Sequence, residues 1–183
     1  MLMQRVIGVL KLDVNTYNEI ESDENAMSEA AIVVAVVAIV GGLIGGGISA
    51  AMGNGFLGAF LRQLLGAFIY WVVWSGATFF VGTSLFGGQA TMGKMMRVLG
   101  YAQAPGILGI IPVCGGFVGW VWTLACTFIA IREGLELDSG KAILTAVIAL
   151  IAVIIASVII GVILGALGLA AGAGLGALQG LGG

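Results

Sequence analysis

The chain has 183 residues, of which 60% are hydrophobic and 9% charged, with a formal net charge of −2 and a mean hydropathy of +1.16. A soluble domain carries roughly 25% charged residues, so a water-soluble fold is excluded, and a net-negative chain without a basic cluster does not suit nucleic acid. Histidine is absent, which removes the commonest general base and the commonest metal ligand.

Leu2, Met3, Val6, Val9 and Leu10 share one face at helical spacing. That predicts a short helix lying in the membrane interface, with Gln4, Arg5 and Lys11 off the apolar face. Arg5 and Lys11 interrupt Met1 to Leu12, which therefore does not read as a cleavable leader. Asp13 ends this helix or caps the next. Thr16-Tyr17-Asn18-Glu19 has the spacing of a capping box and predicts a second short helix to about Ser22. Glu19, Glu21, Asp23, Glu24 and Glu29 follow as an acidic collar, expected to be solvated. Residues 1–25 thus read as a cytoplasmic amphipathic segment.

Four stretches then carry no charge: Ala30 to Leu61, Gln63 to Gly93, Val98 to Ile131 and Ala142 to Gly183. Each exceeds the ~20 residues that a helix needs to cross a bilayer. The first span is expected over about Ala30 to Met52. Gly41/Gly45, Gly42/Gly46 and Gly47/Ala51 are small residues four apart that let helices approach closely. Met52-Gly53-Asn54-Gly55 reads as a turn. Leu64 to Phe86 is a full second span, with Phe56 to Gln63 in the outer interface and Arg62 snorkelling to headgroups or paired with an acid or a lipid phosphate. Tyr70, Trp71 and Trp74 are expected between helices. Gly87-Gly88-Gln89 ends that span, and Thr91 caps the next.

Lys94 and Arg97 share a helix face and must lie on the same side as Arg132, so Val98 to Ile131 holds two crossings or a re-entrant hairpin. The third span is expected to start near Thr91 and to kink at Pro105. Pro112 to Gly116 makes the turn, and Phe117 to Ile131 forms the fourth span. Cys126 falls mid-helix and Cys114 in that turn, too far apart in pattern for a disulfide or a metal motif. Asp138 or Ser139 caps a last span over Ala142 to about Leu167. Gly161, Gly165, Gly168 and Gly172 continue a small-residue face toward a glycine-rich tail, residues 173–183. With five crossings, Arg5, Lys11, Lys94, Arg97, Arg132 and Lys141 lie inside and Arg62 alone outside. That places the N-terminus in the cytoplasm and the C-terminus outside.

The segment from Phe86 to Pro105, with its Gly100-Tyr101 pair and Ala104-Pro105 shortly after, resembles the central signature of the Yip family. These are small multispanning membrane proteins that interact with Ypt/Rab GTPases. The Arg132 to Ala142 connection resembles prokaryotic members, and the likeness covers nearly the whole chain, with residues 26–172 as the transmembrane domain. The resemblance implies an all-α bundle of five transmembrane helices with short N-terminal interfacial helices, in the same orientation that the charge count gives. For eukaryotic relatives it implies vesicle traffic, membrane shaping and Rab binding. This chain lacks their long cytosolic N-terminal region and its Asp-Leu-Tyr-Gly-Pro type motif, which argues against a Rab-type GTPase partner and for a prokaryotic cell membrane.

Function reads first as a non-enzymatic, membrane-organising protein with a membrane-protein partner or a second copy of itself. The alternative is a small channel, transporter or lipid-translocating protein, motivated by the intramembrane polar residues Gln63, Ser75, Thr78, Tyr101, Gln103 and Thr123. No span contains an acid, and no nucleophile-base arrangement is visible, so no enzyme, cofactor or metal is expected. The candidate functional residues are Lys94, Arg97, Gly100, Tyr101, Gln103, Pro105 and Arg62. Lys94, Arg97 and Tyr101 follow one another along a helix and are candidates to hold an anionic lipid headgroup.

Overall fold

The structure is a computed structural model that describes residues 1–111 and 114–166. The centre of the expected turn at Pro112 and the glycine-rich tail lie outside the described residues. All described regular elements are helical: α1 (Leu2–Leu10), α2 (Val14–Ser22), α3 (Ala26–Ala51), α4 (Phe56–Phe86), α5 (Met92–Tyr101), a 3₁₀ segment (Ala104–Ile110), α6 (Gly115–Gly134) and α7 (Ser139–Ala166). Four of these, α3, α4, α6 and α7, are long and apolar enough to cross a membrane.

Local chemistry sets most boundaries. Asp13 caps α2, accepting from the Asn15 amide at 3.2 Å and the Thr16 hydroxyl at 2.8 Å. The expected capping box at Thr16 is therefore not formed, because an earlier carboxylate claims the Thr16 side chain. Gly87 closes α4 in the left-handed conformation at φ 71°, which glycine adopts without a Cβ penalty. Thr91 caps α5 through the Lys94 amide at 3.2 Å, as expected.

Three expectations change. First, Phe56 to Gln63 is not a separate interfacial piece but the start of α4, whose 31 residues form one continuous helix. At 1.5 Å per residue this helix spans about 46 Å. Secondly, Pro105 does not kink a continuous third span. The α-helix stops at Tyr101 and Pro105 stands at the start of the 3₁₀ segment, because a proline supplies no N–H to continue α5 and its ring clashes with the preceding turn. Thirdly, Tyr70 is half-exposed and stacks on Trp74 at 6.1 Å, while Trp71 and Trp74 are buried between helices as expected.

The glycines of α3 do what their spacing suggests. A Cβ on Gly42 would lie 2.9 Å from the Phe60 ring and one on Gly46 2.8 Å from the Phe56 ring, so α3 and α4 form a close antiparallel hairpin. At its other end the bundle gathers several termini. Gly93 faces Met27, Gly134 packs on Met95 and Val98, and Gly82 and Gly88 pack on Leu135, whose carbonyl also accepts from the Gln89 amide at 2.9 Å. The first turns of α3 and α5 and the ends of α4 and α6 thus share one end of the bundle. The α1–α2 pair packs there too, and all nine acidic residues belong to the segments gathered at that end.

The core lies around the shortest membrane-domain helix. Met95, Val98, Leu99 and Tyr101 of α5 are fully or almost fully buried, against Tyr17, Ile20, Ala30, Val34, Trp71, Ile131 and Leu135. In α7 the reverse holds: Ile151, Ile154, Ile155, Val158 and Ile159 are exposed. An apolar helix with that much free surface is suited to lipid rather than water.

Candidate functional site

The polar centre of the molecule is Arg5, which is 4% exposed despite its place near the start of a short helix. It shares the inner face of α1 with Val9, so docking α1 through Val9 carries the guanidinium inward. Its Nε donates to Glu19 at 2.9 Å, Nη1 to Glu29 at 3.1 Å and Nη2 to Asp23 at 2.6 Å. These carboxylates come from α2, from the loop after it and from α3. One arginine thereby ties three segments together, using the fixed fork of its donors. Tyr101 of α5 donates its hydroxyl to the same Glu29, which extends the network to the central helix.

A second node lies beside it. Lys94 Nζ pairs with Glu21 and lies 4.0 Å from Glu136, and Arg97 Nη2 donates to the Glu21 backbone carbonyl at 2.6 Å. The two cations on one face of α5, read from their spacing, meet the C-terminal end of α2, where free carbonyls and the helix dipole favour positive charge. An open cleft of about 570 Å³ lies next to them, with Glu21, Lys94, Arg132, Glu133 and Glu136 on its walls.

The docked N-terminal pair is also pinned by neutral bonds. Trp122 Nε1 of α6 donates to the Leu10 carbonyl at 2.9 Å, and Tyr17 donates its hydroxyl to the Cys126 carbonyl at 3.2 Å. The acidic collar is therefore only partly solvated: Glu24 and Glu19 are exposed, Glu19 while paired with Arg5, whereas Asp23 and Glu29 are half-buried and Glu21 is buried. Nor does α1 present all of its expected apolar face outward. Val9 is fully buried and Leu2, Val6 and Leu10 partly so, while Met1, Met3 and Ile7 are exposed.

The electrostatics follow from these contacts. Burial alone pushes the Arg5 guanidinium toward losing its proton, but its bonds to Asp23, Glu19 and Glu29 more than compensate and hold it more basic than usual. The Arg5 bond holds the Asp23 carboxyl below the ordinary carboxylate range. Thr16 does the same for Asp13. Burial raises the Tyr17 phenol, so it stays a neutral donor.

Of the candidates named from sequence, Lys94, Arg97, Gly100 and Tyr101 come together on α5. Lys94 Nζ, Arg97 Nη2 and the Tyr101 hydroxyl are already engaged by Glu21 and Glu29, while Arg97 Nε is buried without a partner among the described residues. Gly100 permits the crowding: a Cβ there would lie 2.8 Å from Ala30 Cβ and 3.1 Å from Trp71 Nε1. Trp71 in turn donates to the Met96 carbonyl at 2.9 Å. Pro105 is buried, and its carbonyl lies 2.9 Å from where a Cβ on Gly119 would stand. Gln103 lies elsewhere, at the break after α5, on a separate groove with Gln63 and Tyr70. Arg62 stays apart on α4, exposed and without an ion pair among the described residues. Sequence reasoning missed Arg5, Glu21, Asp23 and Glu29. The available signal was Arg5 and Val9 four residues apart, which puts the arginine on a face that must be covered.

Comparison with known proteins gives one family: the model described as the Yip1 domain matches residues 7–161. No curated protein matches, and no solved structure matches. Among the described residues no group of three or more His, Cys, Asp or Glu is arranged to hold a metal ion.

Proposed function

This chain belongs to the Yip1 domain family, and from that premise we propose that it is a non-enzymatic, multi-pass organiser of the membrane that offers its charged end to a partner. The observation that carries this reading is the use to which the charges are put. Arg5, Glu19, Glu21, Asp23, Glu29, Lys94 and Arg97 are spent on docking α1 and α2 against α3 and α5, a use that supports an architectural rather than a catalytic role for them. What the docked pair displays is a surface edged by Met1, Met3 and Ile7. Such a surface suits a leaflet or a protein, and a membrane-protein partner or second copy fits it better than a solute does.

The positive-inside rule assigns this end to the cytoplasm, because six of the seven cations belong to it. In this reading the segment from α5 to the 3₁₀ helix makes a broken crossing, giving five in all, with the C-terminus extracytoplasmic. Trafficking or shaping of a cell membrane is the role such a platform would serve. A Rab-type GTPase is not the partner proposed, and anionic headgroups are proposed to reach the open cleft that Arg132 and Lys94 line, in competition with the Glu133 and Glu21 carboxylates that pair with them.

The test is a pull-down from native membranes in mild detergent, read by mass spectrometry, for the natural chain and for Met3→Glu/Ile7→Glu. A stoichiometric protein partner lost in the double variant is the expected result. An identical protein profile for both chains refutes the platform reading. A C-terminal reporter is expected outside the cytoplasm, and a cytoplasmic signal removes the fifth crossing.

A further inference from the structure

Halfway along α3, beside Val37 and Ala38, a groove of about 330 Å³ opens between α3, α4 and the break that follows α5. Val37 and Ala38 stand near the midpoint of the 26-residue helix, so the groove sits at the depth of the bilayer centre if α3 spans it. Its polar groups are Gln63, Tyr70 and Gln103, and its floor includes the small residues Ala38, Gly66 and Ala67. Among the described residues no lysine, arginine, aspartate or glutamate lines it. Around its mouth Ile39, Leu65 and Ile69 are exposed, which makes the surroundings lipid rather than water.

Two independent features make this groove unlike an ordinary packing defect. Gln63, Tyr70 and Gln103 make no side-chain hydrogen bond that reaches beyond their own element, and none to one another, among the described residues. In a bilayer core such groups are costly unless something pairs with them. The backbone also breaks here: α5 ends at Tyr101, and Pro105 has no N–H to offer the Tyr101 carbonyl. Irregular backbone at membrane depth is tolerated where it is buried in protein or lines a cavity, and broken helices recur at binding sites.

The geometry points to a binding site for an uncharged amphiphile that enters from the bilayer core and places a carbonyl or hydroxyl oxygen among Gln63, Tyr70 and Gln103. Two primary amides and a phenol offer both donors and acceptors, matching a head that carries such oxygens. Arg62 precedes Gln63 on α4 but is not part of the lining, and a charged head seated in the groove itself would lose its hydration without a counter-charge there. A second copy is a poorer occupant. A two-fold contact at this face would bring Ile39, Leu65 and Ile69 of a second copy to the groove, and these offer no partner to its polar groups. A diacylglycerol-type lipid and an isoprenoid quinone share the required chemistry. This site is independent of the platform at the charged end.

The experiment uses the full chain in nanodiscs with three photoactivatable probes: a diacylglycerol, a quinone and, as a charged control, a phosphatidylglycerol. Labelled peptides are located by mass spectrometry. One or both neutral probes are expected to label the peptides around Tyr70 and Gln103, above the charged probe, and to be displaced by the matching unlabelled compound. Labelling by diacylglycerol alone assigns a glycerolipid, and labelling by quinone alone assigns a quinone. Gln63→Leu/Gln103→Leu removes two hydrogen bonds and should weaken labelling about tenfold. Tyr70→Phe keeps the shape and should weaken it less. The displacement arm needs no variant, so it stands even if the double variant misfolds. Neutral labelling no stronger than the charged control, labelling that the unlabelled compound does not displace, or a cross-link through the groove to a second copy overturns the proposal.

Discussion

At the charged end, Arg5 holds three carboxylates within 3.1 Å, whereas halfway along the bundle Gln63, Tyr70 and Gln103 make no side-chain hydrogen bond to a neighbouring element among the described residues. Both regions place polar groups where water is scarce, and both are built partly from α5 and its continuation. The difference is one of completion. The Arg5 node satisfies its own members, so its energy goes into holding α1 and α2 in place. The groove leaves its members open, so any energy gained there comes from something outside the chain. A self-satisfied network is therefore better read as architecture, and an unsatisfied one as a site.

The comparison breaks most easily at Arg5. Arg5→Leu leaves Glu19, Asp23 and Glu29 close together without their cation. Removing one partner of a buried ionic group costs about 3–5 kcal/mol, and the low end applies here because Glu19 is 56% exposed. The expected outcome is a large loss of hydrogen-exchange protection in residues 1–25, with little change in α7. Next in size is Gly100→Leu, which drives a side chain into Ala30 and Trp71. Overpacking of this kind costs about 1–3 kcal/mol, read as a lowered thermal midpoint in detergent.

Acid should separate the two regions more gently. The Asp23 carboxyl is held below its ordinary value by Arg5. Its contribution is therefore fully present above the unfolded value of about 3.9 and is lost as pH falls through the lower folded one. Protection of α1 and α2 should accordingly be flat from neutral pH down to about 4 and fall below it, while neutral-probe labelling of the groove stays constant. A decline of protection already between pH 8 and 6 contradicts the Asp23 assignment. The smallest effects are expected at Glu24→Ala and Arg62→Ala, exposed positions where about 0.5 kcal/mol is the usual bound. Glu21→Ala is not in this class, because Glu21 pairs with Lys94.

Much of the fold was legible before any contact was known. A span is recognised from composition in a window of ~20 residues, which is why α3, α4, α6 and α7 emerged from charge-free stretches. The breaks at Gly53 and Gly87 were equally readable, since each has positive φ that favours glycine. The candidate site was legible only in part. Lys94 and Arg97 were visible as a shared face, but their partner Glu21 lies 73 residues from Lys94. Trp122 looked like an ordinary aromatic of a span, yet its indole reaches a carbonyl 112 residues away.

The sequence by itself determined that this is a membrane protein, which end of its bundle carries the charge, and where most helices start and stop. These follow from local terms: apolar content per window, caps, glycine and proline. Only the tertiary structure decided that Arg5 is the buried centre of the charged end, that Glu19, Asp23 and Glu29 of the acidic collar are its counter-charge, and that the chain breaks at Tyr101 beside a polar groove. Those outcomes depend on which faces meet when helices dock. Burial of a charge is set by neighbours distant in sequence, and no window along the chain contains both partners.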